Sequence, residues 1–171
     1  TRGIVHAAAG LDKSSLNRYV PCAELQPFIE HYWIVRYDLP LGESYTQRIL
    51  SYPNVHLAFE HDVDGRRALI YGVTKRPFVR VLRGACRVLG VKFRAGCFHP
   101  FWRDDVSRLT GRTIPAADLF GPAASGWMDA VLDAGDDEAM ARQAEDFLLA
   151  RLPGPDAQAE QAARIVEQVM R

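Results

Sequence analysis

The stretch Tyr32-Trp33-Ile34-Val35-Arg36-Tyr37 decides the fold class. It concentrates β-branched and aromatic side chains, which suit a pleated, half-buried surface. Leu39-Pro40-Leu41-Gly42 closes it as a turn. Moving outward, Tyr45 to Leu50 reads as a second strand, and Ser51-Tyr52-Pro53-Asn54 breaks it. Val55, Leu57 and Phe59 then alternate with His56, Ala58 and Glu60, the period of a half-buried strand. Asp62-Val63-Asp64-Gly65 reads as a hairpin loop in which Gly65 is free to take positive φ. Arg67 to Val73, Phe78 to Leu82 and Cys86 to Phe93 supply further strands, with Gly84 and Gly90 punctuating the last two. Short strands at this spacing predict an antiparallel β-barrel or sandwich rather than a doubly wound sheet. Upstream, Ala23 to Ile29 reads as a short lead-in helix, weakened by Pro27.

After Gly96 the texture turns helical. Cys97 to Trp102, Asp105 to Leu109 and the turn from Pro115 to Gly121 are brief, whereas Ala123 to Asp133 and Asp137 to Leu152 are full helices. In the second, Ala141, Ala144, Phe147, Leu148 and Leu152 form an apolar stripe at helical spacing. Acidic Asp136, Asp137 and Glu138 stand at its start and Arg151 near its end, as the helix dipole favours. Pro153-Gly154-Pro155-Asp156 is the clearest break, and an alanine- and glutamine-rich helical stretch follows, with Ala162, Ile165, Val166 and Val169 on one face. The expected class is therefore α+β: a β-rich domain over 1–96, a helical segment over 97–152, and a linker with the start of another unit over 153–171.

The formal net charge of the 171 residues is zero, but it is unevenly spread. Residues 1–112 carry 17 basic and 10 acidic side chains, and residues 113–171 carry 4 basic and 11 acidic. The scattered arginines read as a solvated strand face or as a seat for an anionic ligand or acidic partner. The acidic second part is expected to dock on the basic first part or on a neighbouring copy. Three cysteines without a C-x-x-C pair argue for a reducing compartment, hence a cytoplasmic location, and against a disulfide framework. No run of eighteen apolar residues is present, so no membrane span is expected. Residues 1–10 lack the pattern of a secretory signal.

Nothing in the sequence predicts an enzyme: there is no G-x-S-x-G elbow, no phosphate-binding G-x-x-x-x-G-K-[ST] loop and no suggestive carboxylate pair. His56, Glu60 and His61 lie close together, yet the period of two puts His61 on the opposite face, so neither a metal site nor a cofactor is expected. A ligand pocket is the better candidate. His31, Trp33 and Tyr37 share one strand face, Tyr32 and Arg36 take the other, and His56 joins the candidate set. Aromatic rings with polar tips suit a pocket, and a plain aromatic core is the alternative. Ala144, Phe147, Leu148 and Leu152 are candidates for a homodimer interface, with packing on the chain's own sheet equally open.

Two longer stretches carry more. One runs from Arg18-Tyr19-Val20-Pro21-Cys22 through Pro27-Phe28-Ile29-Glu30-His31-Tyr32-Trp33 to Leu39-Pro40. The other is Val88-Leu89-Gly90-Val91-Lys92-Phe93-Arg94-Ala95-Gly96-Cys97-Phe98-His99-Pro100-Phe101. Between them lie Tyr52 to Glu60 and Tyr71-Gly72-Val73. In this order they resemble the amino-terminal domain of AraC-family transcription regulators, over roughly Arg18 to Leu152. Ala95 departs from the pattern, since similar proteins often have proline there. The resemblance implies a cupin-like β domain followed by helices, serving sensing of a small-molecule effector and dimerisation. DNA would be contacted only through a further carboxyl-terminal domain with two helix-turn-helix units. A stand-alone cupin-like binding protein or metal-dependent enzyme is the rival expectation.

Overall fold

The computed structural model describes residues 4–5, 14–49, 53–102, 104–152, 161, 164–165 and 168. The strands among them are β1 (Ile4–Val5), β2 (Ser14–Tyr19), β3 (Ile29–Asp38), β4 (Ser44–Ile49), β5 (His56–Asp62), β6 (Gly65–Tyr71), β7 (Phe78–Arg83), β8 (Ala85–Phe93) and β9 (Thr113–Pro115). They form two antiparallel sheets, one of six strands in the order β2-β3-β8-β5-β6-β9 and one in the order β1-β4-β7. The described sheets stay separate, so the fold is an α+β sandwich and not a closed barrel.

The large sheet has two buried faces with different chemistry, as the period of two requires. On β3, Tyr32 and Ile34 point to one side, and Trp33, Val35 and Tyr37 to the other. The centre of the first side is apolar. Leu57 and Phe59 of β5, Ile70 of β6 and Leu89, Val91 and Phe93 of β8 join Tyr32 and Ile34 there. The helices cover this side: α1 (His99–Trp102), α2 (Ala117–Phe120), α3 (Ala123–Leu132) and α4 (Asp137–Leu149). Asp105 to Leu109 forms a single 3₁₀ turn over Val106–Leu109.

Helix α4 starts where its caps dictate. The Asp136 carboxylate accepts a 2.7 Å hydrogen bond from the Ala139 N–H, and Asp137 and Glu138 fill the first turn. Met140, Ala141, Ala144 and Leu148 are buried on its inner face. Trp127 of α3 meets Phe59 of the sheet edge-on at 4.4 Å and stacks on Phe147 of α4 at 3.5 Å, and the Arg151 guanidinium caps the Phe147 ring at 3.3 Å. One apolar core therefore joins sheet and helices.

Charge fixes how the helices sit. Arg36 of β3 binds the Asp137 carboxylate, Arg66 of β6 reaches Asp129 at 3.2 Å and Asp133 at 2.6 Å, and Arg87 of β8 donates to the Leu132 and Ala134 carbonyls at 3.0 and 2.7 Å. The acidic helical segment thus docks on the basic sheet of its own chain, and Arg87 serves the open carbonyl end of α3.

Ala23 to Ile29 is not the expected helix. The Leu25 and Gln26 N–H groups both donate to the Cys22 carbonyl, Pro27 has no N–H to offer, and Ile29 already opens β3. Strands β2 and β9 were not anticipated from the sequence. The break at Pro153 to Asp156 and the face at Ala162, Val166 and Val169 lie outside the described residues, while Ile165 is exposed.

Candidate functional site

The face of the large sheet that looks toward β4 and β7 carries the chemistry. Strand register arranges it in transverse rows. The first row is His31, Lys92, His56 and Tyr71, from β3, β8, β5 and β6 in turn. The second is Trp33, Gly90, Ala58 and Leu69, and the third is Val35, Val88, Glu60 and Arg67. Tyr37 and Cys86 pair in a fourth row. Leu82 of β7 and Tyr45 of β4 pack down on Tyr37, Ala58, Cys86 and Val88 from the opposing sheet.

Glu60 is the centre of this face and is 0% exposed. Its carboxylate accepts the Tyr71 hydroxyl at 2.7 Å, the Arg80 guanidinium from β7 at 2.7 Å and the Arg67 guanidinium at 2.6 Å. Arg67 also forks onto Asp62, with contacts of 2.9 and 2.6 Å. An ionised carboxylate out of water is tolerated only when charge and hydrogen-bonding capacity are both met, as they are here. The Arg67 hydrogen bonds, helped by the Asp64 N–H, hold the Asp62 carboxyl below its ordinary range. Burial, together with the adjacent Glu60 charge, pushes the Tyr71 hydroxyl up, so it stays a donor. Glu60–Arg80 is a bond between sheets, and it ties β7 to β5.

Trp33 and His56 form the second feature. The Trp33 indole lies flat over Gly90, where a Cβ would stand 1.9 Å from the ring, so only glycine fits. Its N–H donates to His56 Nδ1 at 3.4 Å, which leaves the imidazole proton on Nε2. Burial, then the charge of Lys92 and then His31, lowers the His56 pKa from its usual 6.5 to about 4. Burial likewise lowers His31, opposed by Glu30 and aided by Lys92 and Arg18. His56 is therefore neutral in the folded chain when the unfolded chain is already taking up its proton. The contribution of His56 to stability should fall as pH drops from 6.5 toward 4 and level off below, a loss of about 3 kcal/mol from this group. Urea titrations of the parent and of His56→Gln across this range check it: the variant should lose that part of the slope, and equal slopes would refute the assignment.

Of the residues singled out by sequence, His31, Trp33, Tyr37 and His56 all lie on this face. Trp33 and His56 touch, His31 shares the row of His56, and Tyr37 stands at the far end, hydrogen-bonded to Cys86. His61 is exposed on the other side of β5, and among the described residues no three His, Cys, Asp or Glu side chains converge as metal ligands. Ala144 and Leu148 are fully buried against the chain's own core, Phe147 is sandwiched between Trp127 and Arg151, and Leu152 packs at the margin, so the stripe is occupied within the chain. Arg67, Tyr71, Arg80, Cys86 and Lys92 were not foreseen. Alternation along β6 and β8 could have placed Arg67, Tyr71, Cys86 and Lys92 on this face, but Arg80 meets Glu60 only through the sandwich.

Residues 17–115 match a family described as a domain of unknown function (DUF6597). No curated protein and no solved structure matches the chain. The matched span runs from within β2 to the end of β9, and so contains every residue of the face just described.

Proposed function

We propose that this chain, which belongs to the DUF6597 family of domains of unknown function, is the effector-sensing domain of a bacterial AraC-family transcription regulator. The observation that carries this reading is the inner face, where a fully buried carboxylate, two guanidinium groups and a tyrosine hydroxyl stand beside Trp33 and His56. A sandwich interior that needed only to be stable would be apolar, because a hydrophobic filling of equal volume is commonly no worse than a buried ion pair. Perturbed ionisable groups gathered in one interior mark a site. The two stretches that carry the resemblance to AraC-family proteins contain β3 and the part of β8 from Val88 onward, the neighbouring strands that supply Trp33 and its Gly90 seat.

In this reading a small molecule enters between the sheets at the Trp33 end. It shifts β5, whose Phe59 touches Trp127, and so biases how α3 and α4 sit. The chain leaving α4 then alters the spacing of two DNA-reading units in a cytoplasmic dimer. Such a ligand acts only through its different affinity for the two arrangements. Trp33→Ala in the intact polypeptide is expected to abolish effector-dependent transcription from a reporter while the far-ultraviolet circular dichroism of the domain is kept. An unchanged response would place the pocket elsewhere.

A further inference from the structure

We propose that the row His31, Lys92 and His56, together with the Trp33 ring, binds the carboxylate of a small organic acid with a flat apolar body, in exchange for the chain's own Glu30. This names the ligand class of the sensory site and rests on that reading. Lys92 lies in the middle of the row, paired with His31 on one side and His56 on the other. Its side chain is only 16% exposed, yet its ammonium bonds both Glu30 oxygens at 2.9 Å. Glu30 is the more exposed member at 40%, and it also lies 3.6 Å from His31 Nδ1. A resident carboxylate thus sits on a nearly buried ammonium and can swing to solvent without leaving its backbone position.

An arriving carboxylate would find the same forked contact on Lys92. It would gain donors from the imidazoles, because His56 Nδ1 is taken by Trp33 and its Nε2–H is free of that bond. The ligand's flat body would lie on the accessible part of the Trp33 indole, which Gly90 holds in place. A cation has no such welcome, since the Lys92 ammonium would repel it. The charged groups that act on the two histidines are Lys92, Glu30, Arg18 and each other. An anion added to that set favours the imidazolium forms, so binding takes up protons. Affinity should therefore rise as pH falls from 7 to 5.

Benzoate is the probe, titrated into the 171-residue chain while the histidine ring resonances are followed by nuclear magnetic resonance, with benzamide and inorganic phosphate as controls. Benzoate is expected to shift both histidines and to bind about tenfold more tightly than benzamide. Calorimetry in two buffers of different ionisation enthalpy should show net proton uptake. Glu30→Gln should strengthen benzoate binding by removing the competitor, and Lys92→Gln should weaken it about tenfold. Unmoved histidines, equal binding of benzamide, equal binding of phosphate, or weaker binding to Glu30→Gln overturns the proposal. Two further outcomes keep the two claims apart. A neutral effector that needs Trp33 but ignores benzoate would leave the sensory reading standing and sink this one. Benzoate binding without any effect on transcription by the intact polypeptide would do the reverse.

Discussion

Replacing Glu60 by alanine is expected to destabilise the chain by about 3–5 kcal/mol, read from urea denaturation. Glu60 is wholly buried and neutralises Arg80, which crosses from the opposing sheet, and it shares Arg67 with Asp62. Removing the carboxylate strands Arg80 inside the sandwich and leaves the Tyr71 hydroxyl without its acceptor. Arg67 loses less, because Asp62 still takes two of its N–H groups. The loss therefore comes mainly from an unpaired charge, not from the missing contact itself. It follows that Glu60→Leu combined with Arg80→Leu should return to within about 2 kcal/mol of the parent. A single alanine variant within 1 kcal/mol of the parent would show that water reaches the group freely. Recovery in the double variant would separate what the pair contributes to stability from what it is kept for: if it folds well yet no longer answers to an effector, the ions serve binding.

The second large effect is expected at Trp127. Alanine there should destabilise by about 3–5 kcal/mol, because the ring fills the junction between Phe59 of the sheet, Phe120 of α2 and Phe147 of α4. Phenylalanine should be far milder, within about 1.5 kcal/mol. The Trp127 indole N–H is buried with no acceptor among the described residues, so phenylalanine also removes an unsatisfied donor and offsets part of the lost volume. Thermal and urea unfolding of both variants check the pair. Alanine and phenylalanine variants of equal stability would mean that the junction collapses around the gap and that the stack does not hold α3 and α4 to the sheet.

The strands were legible where one face is apolar and the other is not. Val55 to Glu60 and Tyr32 to Tyr37 have that pattern, and both are central strands with two covered faces. Strand β2 was missed because Ser14-Ser15-Leu16-Asn17-Arg18-Tyr19 is an edge strand with little to bury, so its sequence has no apolar alternation. Strand β9 is three residues long and ends on Pro115, too short for any period to register. The helices were placed to within a few residues, since Asp136 caps α4 and its buried residues recur at helical spacing.

The candidate site was half legible. Period two put His31, Trp33 and Tyr37 on one face correctly, because the register of β3 against β8 is unbroken from His31 onward. It could not say what lies opposite. Arg67 and Arg80 looked like solvated strand residues, and only the sandwich brings Arg80 across to Glu60, twenty positions away in sequence. The stripe on α4 left its partner open for a related reason: helical spacing defines a face but not its occupant. Here Arg36, Arg66 and Arg87 fix the acidic helices to the sheet of the same chain, so the apolar face closes on itself.

The most direct test of the central claim is to read the coding DNA past the codon for Arg171. If the domain senses an effector on behalf of a transcription regulator, about a hundred further residues should follow, with two helix-turn-helix patterns and a basic excess on the face that meets DNA. A stop codon directly after Arg171, with no DNA-binding unit in the same polypeptide, would contradict it.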